Sequence, residues 1–207
     1  MQSISTQPES KQEESFTCEE CLGSKQYPNS WGKTHVPGLA INLTQENPDI
    51  MLIGEAPGAD EDLYGKPFVG RAGQLLQKTL VELGITKNIY VSNIIKHRPP
   101  NNRKPTMLEM IELGNEICKE IINLKPKTIV CLGRSPSDYM MWLAELPVSK
   151  SVINGKKGSL RGHQFDLNHI DGWTIPVLCT WHPAYILRVP SKLHELKEDL
   201  QKATQGE

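Results

Sequence analysis

The stretch that most constrains the fold is an apolar run, Ile50-Met51-Leu52-Ile53, that passes directly into the glycine-rich loop Gly54–Gly73. The loop leads into the helical spacing of Leu75, Leu76, Leu80 and Leu83. Buried strand, loop, helix is the reading, and it implies an α/β protein with its ligand site at the carboxyl end of a strand. Glycines in such a loop let backbone N–H groups come close to an anion or a planar ring. The loop lacks the GxxxxGK[ST] spacing and has no tight GxGxxG, so neither common nucleotide-phosphate motif fits. A small-molecule or nucleotide-edge site and an ordinary structural turn both stay open from these residues alone.

The rest of the chain repeats the rhythm. Ile89–Ile95 reads as a second buried strand, with Gly84 ending the helix before it and Asn93 at its carboxyl end. Pro99, Pro100 and Pro105 stiffen the next loop. Thr106 with Glu109 forms a capping box that starts a helix running to about Leu124, which Pro126 closes. Thr128–Leu132 is a third strand, followed by a turn at Gly133-Arg134-Ser135 and a short helix from Asp138 to Leu146. Residues 152–167 suit a hairpin, Ile175–Thr180 a fourth strand, and Ser191 can cap a last helix from Lys192 to Lys202. Four strands alternating with helices predict a central, mainly parallel four-stranded sheet in a three-layer α/β/α sandwich.

At 207 residues the chain suits one buried domain, 16–207, behind a polar tail at 1–15 and a wrapped, irregular arm at 16–47 that Tyr27 and Trp31 pin down. No apolar span is long enough for a membrane helix and no leader pattern opens the chain, which predicts a cytoplasmic, nucleoid-acting protein; a monomer is expected. A formal net charge of −1 excludes a globally basic coat for nucleic acid but leaves room for a local basic face. Five cysteines, two in Cys18-Glu19-Glu20-Cys21, raise metal or cluster binding rather than a disulfide framework.

Four ordered blocks carry a resemblance. They are GEAPG with GKPFVGRAGQLL from Gly54, VSNIIK with RPP from Val91, IVCLGR from Ile129, and TWHPAYILR from Thr180. Together they resemble the uracil-DNA glycosylase superfamily, and most closely its family 4 pattern. The resemblance implies a monofunctional DNA glycosylase, DNA as partner, and water attack on the glycosidic bond of a flipped uracil or related base. It also implies a base pocket built on Gly54, Ala56, Phe68 and Asn93.

The residue chemistry agrees with those roles. An enzyme acting on a base in duplex DNA takes it out of the stack, reads its edge by hydrogen bonds and covers its face. The Asn93 amide matches the N3–H and O4 of uracil and not the edge of cytosine; Phe68 offers a stacking face. The bland alternatives are a turn-forming Asn and a core Phe. His182, after the last strand, is the resembled donor to base O2, where charge collects as the bond breaks.

Ala56 stands where the best-known family of the superfamily has its water-activating Asp, so the carboxylate must come from elsewhere. Glu55 is the first candidate and Glu61 the second, with capping of the turn as the alternative for Glu61 and a structural role for Asp62. DNA contacts fall on Gly70, Arg71, Lys156, Lys157, Arg161 and Arg188, with Lys150 beside them, or these lysines form a solvated face. Leu187 or Ile186 is the wedge, or both are core.

Family 4 also implies a 4Fe–4S cluster on four cysteines, and here the pattern breaks. Cys18 and Cys21 are in place, His97 stands at the third ligand position and Leu113 at the fourth, with Cys118 about one and a half turns further on. A cluster on Cys18, Cys21, His97 and Cys118, a zinc ion on the same donors with or without His35, or no metal are the three outcomes. Cys131 and Cys179 read as core. The loop from Arg98 to Pro105 contains no His, so the covalent chemistry of a KH-bearing branch of the superfamily is not expected. Two rival functions remain: a glycosylase for a bulkier base, with Tyr64 and Trp181 reshaping the pocket, and a non-catalytic DNA-binding protein on the same fold.

Overall fold

The computed structural model describes residues 30–147, 160–169 and 171–205. Its centre is a sheet ordered β1-β3-β2-β4-β6-β5, from β1 (Leu39–Ile41), β2 (Ile50–Gly54), β3 (Ile89–Asn93), β4 (Ile129–Leu132), β5 (Gln164–Asn168) and β6 (Thr174–Thr180). The four inner strands are parallel, as expected; β1 and β5 add antiparallel edges and make six strands instead of four. Both edges are short or polar outward. β1 lies in the irregular arm, and β5 forms a hairpin with β6; residues 152–159 of the hairpin expected at 152–167 lie outside the described residues.

Side-chain alternation divides the core. Met51, Ile53, Ile129, Cys131, Val177 and Cys179 face one side, against helices α3 (Met107–Leu113), α4 (Asn115–Leu124) and α5 (Arg134–Leu143). Ile50, Leu52, Val130, Leu132 and Leu178 face the other, against α2 (Arg71–Glu82), α6 (Pro183–Arg188) and α7 (Leu193–Gln205). Strands buried on both faces read as continuous apolar runs, which is why β2 and β4 were visible in the sequence. The result is the expected three-layer sandwich.

Layer assignment also creates the site. From β2 the chain goes through α1 (Ala59–Tyr64) to α2 on one face, while the flanking β3 and β4 send their helices to the other. Neighbouring strands that part in this way open a crevice at their carboxyl ends.

Three helix boundaries differ from expectation. The helix capped by Thr106 breaks at Gly114, where a Cβ would come within 2.3 Å of the Tyr139 hydroxyl, and Tyr139 donates to the Gly114 carbonyl at 3.1 Å. Helix α5 starts at Arg134 instead of Asp138, because Gly133 at φ 95° turns the chain immediately after β4. Ser191 lies in a 3-10 turn, Pro190–Lys192, and α7 begins after it.

Candidate active site

The crevice is a cleft of about 650 Å³, within the usual range for a small-molecule site. Its floor is the carboxyl ends of β2, β3 and β4, through Glu55, Ala56, Asn93, Leu132 and Gly133. One wall is α6 with His182, Tyr185 and Arg188; the other is the loop from Pro99 through Lys104. Gly54, Glu55, Glu61 and Phe68 of the glycine-rich loop meet the distant Asn93 and His182 within it or directly beneath it.

Gly54 and Asn93 are register partners across β2 and β3. A Cβ on Gly54 would lie 2.3 Å from Asn93 Oδ1 and 2.8 Å from Phe68 Cζ, so the glycine allows amide and ring to meet over the strand end. Phe68 has φ 55°, a costly conformation for a bulky residue. It is held there from two sides: Gln77 Nε2 donates to its carbonyl at 2.9 Å, and a Cβ at Gly73 would overlap that carbonyl at 2.0 Å. Asn93 is only 4% exposed, yet its amide makes no hydrogen bond to another described residue. The amide lines the cleft, so its donor and acceptor are offered to whatever occupies it.

Two carboxylates occupy different environments. Glu55 accepts a hydrogen bond from Ser135 Oγ through one oxygen, and the carboxylate lines the cleft. Glu61 is committed to its own loop: Gly58 N–H donates to Oε2 at 3.0 Å and Gly70 N–H to Oε1 at 2.8 Å. Glu61 therefore ties both ends of the glycine-rich loop, in line with the capping alternative. Asp62 accepts from Thr34 N–H at 3.3 Å and holds the arm.

His182 caps α6. The Ala184 N–H donates to its Nδ1 at 3.0 Å, so the neutral ring carries its proton on Nε2. Burial, with the nearby Arg188 charge adding and Glu61 opposing, pushes its pKa down to about 4. At neutral pH the ring is an uncharged donor whose tautomer is set by a helix cap. Gly133 makes this possible, since a Cβ there would sit 2.9 Å from that of His182.

Of the cations expected to meet DNA, Arg188 lines the cleft and Arg71 is exposed at the start of α2, both without an ion pair among the described residues. Lys104, which the sequence did not single out, stands in the opposite wall in the same condition. Gly70 precedes Arg71 as the helix N-cap. Arg161 is placed elsewhere: it binds Asp199 at 2.9 Å and Glu198 at 2.9 Å, clasping α7. Lys150, Lys156 and Lys157 lie outside the described residues. Ile186 is buried in the core, whereas Leu187 is 40% exposed, so of the two only Leu187 is available as a wedge. Tyr64 is on the outer surface and Trp181 donates to Glu195 at 2.7 Å while stacking on Tyr185; neither lines the cleft.

In the described half of the expected metal ligand set, Cys118 does not fit a cluster. His97 donates through Nδ1 to the Gly32 carbonyl at 3.0 Å, with its ring edge-on to His35. The Cys118 thiol instead shares a hydrogen bond of 3.4 Å with Tyr139, and burial pushes its pKa up, against thiolate formation. Leu113 fills core. Among the described residues no three His, Cys, Asp or Glu side chains gather as a metal site, and Cys18 and Cys21 lie outside them.

Residues that sequence reasoning missed share a location: Ser135 behind Glu55, Gly133 under His182, and Lys104 in the wall. The IVCLGRS block did carry a signal, because a Gly-turn at the carboxyl end of a buried strand marks the ligand side of such a sheet.

Fold and cleft define an α/β protein whose parallel-sheet crevice is lined by an amide, an aromatic ring and a neutral imidazole. The chain belongs to the uracil DNA glycosylase superfamily, whose family model matches residues 41–205. It is similar to the Type-4 uracil-DNA glycosylase of Archaeoglobus fulgidus, with 34% identity over 192 residues covering 91% of this chain and 87% of that protein. The enzyme of the same name from Saccharolobus solfataricus is 36% identical over 176 residues, 84% of this chain and 76% of its own. That from Thermotoga maritima is 37% identical over 164 residues, 74% and 75%.

Proposed function

We propose that the chain is a monofunctional uracil-DNA glycosylase, which flips uracil from DNA and hydrolyses its glycosidic bond to leave an abasic site. The observation that carries this reading is the Asn93 amide, 4% exposed, facing the cleft and without a hydrogen bond to another described residue. Its oxygen accepts from uracil N3–H and its N–H₂ donates to O4, a pairing that cytosine reverses. Phe68 covers the base face. The family membership and the names of the relatives support the same substrate.

As the bond breaks, negative charge collects on the base and positive charge on the sugar. His182 Nε2–H donates to the O2 that gains charge, as an uncharged donor whose proton stays on the ring. Glu55, oriented by Ser135, holds the attacking water on the sugar side and stabilises the cationic sugar. Glu61 is a positioning residue: it fixes the loop bearing Glu55 and Phe68. Arg71, Arg188 and Lys104 take phosphates, and Leu187 fills the space the base leaves.

The test is base release from single- and double-stranded oligonucleotides carrying uracil, hypoxanthine, xanthine or cytosine, with wild type and Asn93→Asp. Wild type releases uracil; the Asp variant loses that activity steeply and gains a trace of cytosine release at low pH. Uracil release by Asn93→Asp at the wild-type rate would remove Asn93 from base reading, and no release from any substrate would overturn the assignment. A cofactor is proposed only for arm fastening, on Cys18 and Cys21 with His97. Anaerobic purification followed by metal analysis, for iron with visible absorption or for stoichiometric zinc, is its measurement.

A further inference from the structure

The amide that reads the base has no side-chain anchor of its own, so something else must fix it. Immediately beneath it lies a buried ammonium. Lys96, with a side chain 1% exposed, turns back under the end of β3 and donates to the Asn93 carbonyl at 3.0 Å, to Ser92 Oγ at 2.5 Å and to Glu120 Oε2 at 2.8 Å. Three donors meet three acceptors, which exhausts the ammonium. Glu120, brought in by α4, accepts in addition from Ser92 Oγ at 2.7 Å and from Gly38 N–H at 3.3 Å, tying the arm into the same cluster.

We infer that Lys96 is a positioning residue for base recognition: by holding the Asn93 carbonyl it fixes the peptide plane from which the Asn93 amide projects into the cleft. The placement explains an otherwise costly choice. A fully buried lysine is rarely retained unless paired, and apolar residues of the same size commonly serve a core equally well. Here the ammonium reaches the main chain of the base-reading residue, which an apolar side chain cannot do. The neighbouring bonds complete the clamp, since Ile94 N–H donates to the Gly54 carbonyl at 3.1 Å and Ile95 N–H to that of Glu55 at 3.2 Å. Both strand ends that carry the site are thereby locked to each other, and Lys96 locks the pair to the layer below.

This inference rests on the uracil reading and deepens it. The experiment compares wild type, Lys96→Met and the double variant Lys96→Met/Glu120→Gln. The single variant strands a buried carboxylate and is open to misfolding; the double variant removes both charges while keeping shape. Three quantities are measured: inhibition by free uracil, affinity for abasic-site DNA, and the single-turnover rate on uracil DNA. Folding is checked by circular dichroism and thermal melting. The double variant is expected to fold, to bind abasic DNA as wild type does, and to lose about tenfold in affinity for free uracil, the scale of one misplaced hydrogen bond. Its single-turnover rate falls about a hundredfold, the cost of an ångström-scale misplacement. Wild-type values for uracil inhibition and rate in the folded double variant would overturn the inference and leave the cluster a purely structural role. A parallel loss of abasic-DNA affinity would overturn it too, because that signals general distortion. Failure of the wild-type protein to release uracil, by contrast, would count against the uracil reading itself.

Discussion

Replacing His182 separates two functions that one ring performs. Nδ1 accepts from the Ala184 amide and caps α6, while the ring lines the cleft and keeps its proton on Nε2. His182→Ala removes both. Loss of one preorganised donor to a developing oxyanion costs about 10²–10³ in rate, or about 2.7–4 kcal/mol; loss of a cap costs about 1 kcal/mol of stability. His182→Asn separates the terms, because its short side chain keeps an oxygen for the cap but does not extend an N–H as far as Nε2. The Asn variant should therefore melt near wild type and react as slowly as the Ala variant.

The pH profile supplies an independent check. With a pKa of about 4, the ring stays neutral through the range where an ordinary imidazole, near 6.5, would titrate. Single-turnover rates on a uracil oligonucleotide, read by alkaline cleavage of the abasic product, should show no histidine transition between about pH 5 and 8. Stability follows the same linkage. The unfolded chain binds the proton between about pH 6.5 and 4 while the folded chain does not, so this residue costs the fold stability as pH falls through that window. The reasoning about His182 is refuted if His182→Ala reacts within threefold of wild type at saturating enzyme, or if wild-type rates titrate near pH 6.5.

Gly54→Ala puts a methyl group 2.3 Å from Asn93 Oδ1 and 2.8 Å from Phe68 Cζ, so melting should reveal an overpacking cost of about 1–3 kcal/mol and uracil release should fall far more than DNA affinity. Glu109, held by Arg103 at a pKa of about 2, contributes stability that is complete above about pH 4.5 and disappears as pH falls to 2. The stability gap between wild type and Glu109→Gln should close over that interval in denaturant titrations followed by fluorescence. Arg188→Ala should reduce the slope of log Kd against log salt by about 0.9 on duplex DNA or 0.7 on single strands, with the rate at saturation little changed; an unchanged slope would remove Arg188 from the phosphate contacts.

Local sequence determined the elements and the identity of the reactive groups. Short apolar runs at Ile50–Ile53 and Ile129–Leu132, each leading into a glycine turn, read as strands buried on both faces, and Thr106 with Glu109 marks a helix start, because these are short-range effects of sterics, burial and capping. Glu55, Asn93 and His182 stood out through the motifs of the resembled family, at or just past the carboxyl ends of buried strands, where a parallel sheet places ligands. Roles that depend on partners distant in sequence were decided only by tertiary structure. Glu61 stood second to Glu55 as a catalytic carboxylate, with capping as its alternative, and the fold puts two amide groups, Gly58 and Gly70, on its oxygens. Arg161 looked as free for DNA as Arg188 until α7 brought Asp199 and Glu198 to it. Leu187 and Ile186 are indistinguishable by pattern, and only packing of α6 against the core exposes one and buries the other. The tautomer of His182 depends on a helix cap, and the setting of Asn93 on an ammonium supplied from three residues later and a carboxylate from another layer. A side chain's chemistry is encoded in its own residue, but its proton, its partner and its direction belong to whatever the fold places within hydrogen-bonding distance.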